Sequence, residues 1–182
     1  MSDCVGHLRK MGVTLRSKAE VMQITEASDL FDSDNTVATN VDYELLLDEQ
    51  RVSLNECVGK KITLESLGKI ECVHCGRASN KSFNQGYCYP CFKSLARCDQ
   101  CIVSPEKCHF DQGTCREPEW AEEFCMQDHY VYLANSSGVK VGITRGTQIP
   151  TRWVDQGAVS AKPIYRVSSR KNAGLLEVIC KQ

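Results

Sequence analysis

No run of about 18 or more apolar residues occurs anywhere in the 182-residue chain, which excludes a membrane-spanning helix read from sequence. The opening stretch Met1–Lys10 has no apolar core of the kind a secretory leader carries, so a cytoplasmic protein without a membrane partner is expected. Low-complexity tracts are missing, and the only repeated unit is a short Cys-x2-Cys pattern, which excludes fibrous and solenoid architectures. Residues 1–70 contain no grouping of side chains that announces catalysis. What is present is a globular balance of 42% hydrophobic and 25% charged residues.

Cysteine is the abundant exception. Ten of the twelve cysteines lie between Cys57 and Cys125, both ends counted. Without a secretion signal, a reducing compartment is expected, where clustered thiols hold metal rather than form disulfides. Cys72/Cys75 and Cys88/Cys91 are two Cys-x2-Cys pairs with twelve residues between them, a set of thiolates able to close tetrahedrally on Zn2+. Gly76, just after the first pair, supplies the permissive backbone such a knuckle requires. His74, inside the knuckle, reads as a surface or supporting group. A second ligand supply begins at once. Cys98, Cys101, Cys108 and Cys115 form the preferred second set, with His109, Cys125 and His129 as alternatives, Cys125 and His129 being spaced i, i+4. One or two structural zinc ions are therefore expected. Cys4, Cys57 and Cys180 have no partner in sequence and read as small buried residues.

Charge divides the chain. Residues 1–70 carry 8 basic and 12 acidic groups, residues 71–128 carry 6 and 9, and residues 129–182 carry 8 and 2. The basic last third suits a phosphate-bearing partner or packing against the acidic remainder. Tetrathiolate zinc adds negative charge to a segment already acidic, so the zinc region is not the expected nucleic-acid contact.

The expected class is α+β in three parts: a β-rich N-terminal segment over 1–70, a cysteine-rich module over 71–128, and a small α/β domain over 129–182. In the first part, alternation predicts strands over Val41–Asp48 and Lys61–Leu67, with a turn at Gly68 and a return strand over Lys69–Gly76; residues 25–40 read as a loop. A short helix is expected to begin at Cys91 and run through Phe92–Arg97, a hairpin-plus-helix arrangement similar to treble-clef and zinc-ribbon folds. In the last part, Tyr130–Ala134 and Val139–Thr144 flank a turn at Asn135–Gly138. A helix is expected from Pro150 through Arg152, a strand over Pro163–Val167 and a helix over Asn172–Lys181.

The hairpin Tyr130–Thr144 resembles the opening of a GIY-YIG nuclease domain. Val131-Tyr132-Leu133 overlays the first tripeptide of that family and Lys140-Val141-Gly142 the second, with Lys140 in place of its tyrosine. Arg152 falls where the family places its phosphate-binding arginine, and Glu177 where it places its metal-binding glutamate. Across the chain, Lys81–Phe92, Gly113–Trp120 and Pro150–Ala158 are similar to an uncharacterised bacterial family that joins a cysteine-rich zinc segment to such a domain. Only Val178–Gln182 follow Glu177, which is short for a complete closing helix and leaves the domain open to being truncated.

The resemblance implies a catalytic set of Tyr132, Lys140, Arg152 and Glu177. Glu177 would hold Mg2+ or Mn2+, Tyr132 would position or deprotonate water, and Arg152 would hold phosphate charge. Lys140, Arg145, Arg152, Arg166, Arg170 and Lys171 are the expected DNA or RNA contacts. The competing reading is a non-catalytic zinc adaptor for nucleic acid or an acidic protein. Neither reading specifies an oligomeric state. A thiol oxidoreductase is disfavoured, because redox chemistry needs only one Cys-x2-Cys pair.

Overall fold

The computed structural model describes residues 3–17 and 39–181, and the chain divides into two compact units. Among the described residues the first holds 3–17 and 39–89, the second 90–181. Each contains a three-stranded antiparallel sheet, so the chain is a mixed α/β protein with two small sheets. No described helix is long and apolar enough to cross a membrane.

The first sheet has the order β1 (Gly12–Ser17), β2 (Thr39–Leu47), β3 (Gln50–Ser53). Strand β2 covers the strand expected over Val41–Asp48 apart from Asp48, although its side chains from Val41 to Leu47 are uniformly half-buried rather than alternating. Leu47 pairs with Gln50 across a tight turn in which Asp48 takes a positive φ of 49°. The Asp48 carboxylate accepts a hydrogen bond from the His7 backbone N–H at 2.9 Å, which holds its pKa below the ordinary carboxylate value. Strand β1 carries no clean alternation and was not expected. The loop expected over 25–40 lies outside the described residues except for its last two positions, which open β2.

The strand expected over Lys61–Leu67 does not form. Its alternation breaks at Ser66, and among the described residues its apolar side chains Ile62, Leu64 and Leu67 are all exposed, Leu64 at 72%. The return strand expected over Lys69–Gly76 shrinks to an isolated bridge between Glu71 and Ala78. Among the described residues of this unit the buried apolar side chains are Cys72 and Cys88. A segment with so little apolar burial needs another source of stability, and both of those residues belong to the predicted metal set.

Helix α1 (Tyr89–Ser94), all but its first residue in the second unit, starts before Cys91 and ends before Arg97, which falls instead in a 3-10 turn over Ala96–Cys98. Helices α2 (Gln100–Val103) and α3 (Pro118–Phe124) follow, separated by short 3-10 turns. The second sheet has the order β5 (Val139–Arg145), β4 (His129–Asn135), β6 (Ser160–Val167). Strand β4 is central, and its first four residues are buried, a pattern that suits a strand covered on both faces. Pro163 sits opposite Tyr132 next to a register shift; its missing N–H is tolerated because β6 is an edge strand of this sheet. Helix α4 (Thr151–Val154) is a single turn, and α5 (Arg170–Cys180) is capped by the Ser169 hydroxyl, which accepts from Asn172 N–H at 3.2 Å. The strand, strand, helix, strand, helix order of the last third thus agrees with the sequence pattern.

Helix α5 packs on the 3-10 turn Pro105–Lys107 at Gly174. The approach is close: a Cβ at Gly174 would lie 2.6 Å from the Pro105 Cβ and 2.8 Å from the Glu106 backbone nitrogen.

Candidate functional site

Cys72, Cys75, Cys88 and Cys91 come together, with all four sulfur atoms within 4.8 Å of one another. The first two lie on the knuckle, where Gly76 N–H donates to the Cys72 carbonyl at 2.9 Å and Gly76 has a φ of 69°. Cys88 follows the small Phe83–Tyr87 bridge, and Cys91 lies in α1. The Cys75 and Cys88 sulfurs are 3.7 Å apart. Zn–S bonds of about 2.3 Å arranged tetrahedrally set an S···S edge of about 3.8 Å, so the spacing suits a shared ion and is far too long for a disulfide. None of the twelve cysteines is in a disulfide. The donor set therefore can hold a metal ion and is compatible with zinc.

Burial alone would push the Cys72 thiol up, but the N–H groups of Cys88, Cys75 and His74, with the Cys88 side chain, bring it down to about 6 from its ordinary 9.0. His74 thus contributes through its backbone, while its side chain is exposed. A depressed acid stabilises the fold fully above its ordinary value, and that contribution disappears as pH falls through its folded value. A bound cation holds the thiolate down further. Zinc release followed with a colorimetric chelator is therefore expected to stay low from pH 9 to pH 6 and to rise only below about 6.

A second group of ligand atoms within 4.8 Å of one another is Asp99, Cys101 and His109. Among the described residues, Cys98, Cys108 and Cys115 are not part of a group that tight. The i, i+4 spacing of Cys125 and His129 is not helical, because α3 ends at Phe124 and β4 begins at His129. His129 is fully buried, with Nδ1 2.8 Å from the Gln127 carbonyl and no partner at Nε2. Cys4 and Cys180 are exposed and Cys57 is half-buried, which corrects the expectation of small core residues. Sequence spacing carries no information on which unpaired cysteine finds a core.

In the last third, Tyr132 is fully buried on β4, and its hydroxyl donates to Gln156 Oε1 at 2.8 Å. Its partner across the ladder is Gly142, where a Cβ would come within 2.7 Å of the phenol oxygen. Only glycine leaves room for that ring. Trp153 lies against it, centroids 5.9 Å apart, and the buried Trp153 Nε1 has no hydrogen-bond partner. Burial raises the Tyr132 pKa above 10.0; Arg152 pulls it down by charge and hydrogen bonding, and Glu177 pushes it up. Arg152 and Glu177 are thus both within electrostatic reach of one phenol.

Glu177 is 16% exposed and pairs with Lys181 at 3.0 Å. Lys140 is opposite Ala134, two positions along β5 from Gly142, so it projects from the same sheet face as Tyr132; it is exposed and donates to Ser137 Oγ at 3.1 Å.

The other cations have internal partners. Arg145 lies 4.9 Å over the Phe124 ring, Arg166 pairs with Asp128 through Nε at 2.8 Å, and Lys171 pairs with Asp111 at 2.8 Å. Arg170 Nη2 donates to the Ile102 carbonyl at 2.8 Å. Gln156 and Trp153 were not singled out from sequence, although both lie within four residues of Arg152 on the same turn, which is the signal that could have found them.

Fold and site together define a mixed α/β protein with a four-cysteine cluster that can hold a metal ion. Residues 59–182 match the family described as protein of unknown function, DUF2797, and the chain belongs to that family. No curated protein and no solved structure matches it.

Proposed function

We propose that this is a zinc-stabilised nucleic-acid-binding protein whose last third carries a phosphodiester-cleaving site of GIY-YIG type. The reading rests on one observation above the rest: Arg152 and Glu177 both act on the buried phenol of Tyr132, at the centre of an antiparallel sheet of order β5-β4-β6. Those are three of the four residues that the sequence resemblance puts in the site.

Each residue has a task it can perform. Tyr132 keeps its proton at neutral pH, because burial raises its pKa, and that proton is donated to Gln156, so the phenol oxygen would position the attacking water as an acceptor rather than deprotonate it. Arg152 is exposed and can take the charge that grows on a phosphate. Arg152 and Arg145 both act on Arg170, so positive charge converges in this part of the unit. Lys140, on the Tyr132 face of the sheet, can contact a neighbouring phosphate. Glu177 fits Mg2+ or Mn2+, since such ions are held by one or two carboxylates together with water and substrate phosphate. When bound, that ion supplies Lewis-acid polarisation of the phosphoryl oxygen.

The zinc cluster serves this reading as a scaffold. Its knuckle, short hairpin and following helix suit a treble-clef-like module.

The test is cleavage of labelled single-stranded, duplex and branched DNA and of RNA with Mg2+ or Mn2+, by the wild type and Glu177→Ala. Cleavage is expected to fall by about 100-fold or more in the variant, with binding retained and steeply salt-dependent. Binding without cleavage by either protein would replace the nuclease reading with that of an adaptor.

A further inference from the structure

Helix α2 opens on a tight corner. Asp99 caps it, its Oδ1 accepting from Gln100 N–H at 2.6 Å, and Cys101 stands in its first turn. The 3-10 turns Pro105–Lys107 and Phe110–Gln112 then fold the chain back, so that His109 returns beside both. One ligand atom from each of Asp99, Cys101 and His109 lies within 4.8 Å of the other two. Among the described residues no further cysteine, histidine or carboxylate joins this group.

The bonds around the group orient its donors. The Thr114 hydroxyl gives its proton to the His109 carbonyl at 3.3 Å, so its oxygen accepts from the imidazole Nδ1–H at 2.7 Å. That places the ring proton on Nδ1 and leaves a lone pair on Nε2. Nε2 stands 3.7 Å from Asp99 Oδ2, beyond hydrogen-bond range. Two electron-rich atoms thus stand opposite one another with the Cys101 sulfur alongside, and a cation between them turns that repulsion into attraction. On a tetrahedral ion, bonds of about 2.0–2.2 Å to nitrogen and oxygen set an N···O edge of about 3.3–3.5 Å, close to the separation found.

The carboxylate is held from behind as well. Asp99 Oδ2 accepts from Arg116 Nε at 2.7 Å, and Arg116 Nη1 donates to the Phe92 and Leu95 carbonyls at 3.1 and 3.3 Å. A hydrogen-bonded carboxylate and an imidazole fixed through its far nitrogen are how metal ligands are ordinarily oriented. One thiolate and one imidazole beside a carboxylate suit Zn2+ rather than Mg2+ or Ca2+, which take oxygen donors. The charge balance differs from that of the four-cysteine cluster: one thiolate and one carboxylate cancel Zn2+, whereas four thiolates leave two negative charges. Three protein donors also keep one tetrahedral position open, and a neutral centre remains a good Lewis acid there.

We propose that Asp99, Cys101 and His109 hold a second divalent cation, zinc by donor type, whose fourth position is open to water or a small anion. Thr114 and Arg116 are its positioning residues. This centre is independent of the nuclease reading and of the cluster formed by Cys72, Cys75, Cys88 and Cys91.

The experiment is zinc quantification per full-length chain, with visible spectra of the cobalt-substituted protein recorded with and without azide. The wild type is expected to carry two zinc ions, and azide to change the cobalt bands of one site. Cys101→Ser and His109→Ala should each lose one ion and the azide response, while Cys108→Ser and Cys115→Ser keep both. Thr114→Val should weaken one ion by about 10–100-fold in competition with a chelator and leave the other unchanged. His109→Cys addresses misfolding: it should keep two ions and add the cobalt charge-transfer absorption of one more thiolate. An imidazolium paired with Asp99 and no metal gives one zinc in the wild type. That result, two ions in Cys101→Ser or His109→Ala, loss of an ion in Cys108→Ser, Cys115→Ser or His109→Cys, unchanged affinity in Thr114→Val, or no response to azide would each overturn the proposal.

Discussion

Cys88→Ser is expected to release the ion held with Cys72, Cys75 and Cys91 and to unfold the chain around the knuckle. Cys88 is 2% exposed, and with Cys72 it supplies the buried apolar side chains described for the first unit. A structural zinc contributes about 10–16 kcal/mol to folding in model peptides, against about 5–15 kcal/mol of net stability for a typical domain. No other contact in this stretch approaches that size, since Ile62, Leu64 and Leu67 all lie exposed. The check is loss of one zinc equivalent together with new protease sites between Ile70 and Ser94. A chelator should produce the same cleavage pattern in the wild type, and a Cys88→Ser protein that kept its full zinc content and resisted proteolysis would refute the assignment.

Gly174→Ala should destabilise the second unit although alanine is the better helix former. Exchanging glycine for alanine within a helix is favourable by about 1 kcal/mol in isolation. Here the new methyl would meet the Pro105 ring carbon at 2.6 Å and the Glu106 backbone nitrogen at 2.8 Å, and backbone cannot rotate away as a flexible side chain can. Overpacking of this kind costs about 1–3 kcal/mol, so the net effect should be a lower denaturation midpoint with an unchanged slope. A midpoint equal to or above that of the wild type would mean that α5 shifts freely on the 3-10 turn.

Both expectations depend on features that were unequally visible in the sequence. The first cysteine cluster was legible because two short-spaced pairs bring their own geometry: two residues between thiols suffice to shape a knuckle. The last third was legible because Tyr130–Ala134, Val139–Thr144 and Pro163–Val167 carry β-branched and aromatic residues between strong turn signals. Lys61–Leu67 was misread for a related reason. Alternation states which side chains share a face, and only tertiary structure decides whether anything covers that face. The second set of cysteines was ambiguous because Cys98 and Cys101 share the short spacing of a metal-binding pair, whereas the nearness of Cys101 to Asp99 and His109 depends on tertiary structure that spacing does not carry. Charge composition likewise treats Arg152 and Arg170 alike, though one is exposed and the other has its Nε buried.

A metal held by Cys72, Cys75, Cys88 and Cys91 makes the intervening chain a ring with a removable clasp. Reductants that open disulfide-closed rings would leave this one shut, whereas a chelator would open it. Its folded population then follows the free concentration of the ion: above the dissociation constant, each tenfold rise adds about 1.4 kcal/mol. The knuckle would act as a gauge of metal supply, and α1, which carries Cys91 into the ring, would be the element whose order reports the reading.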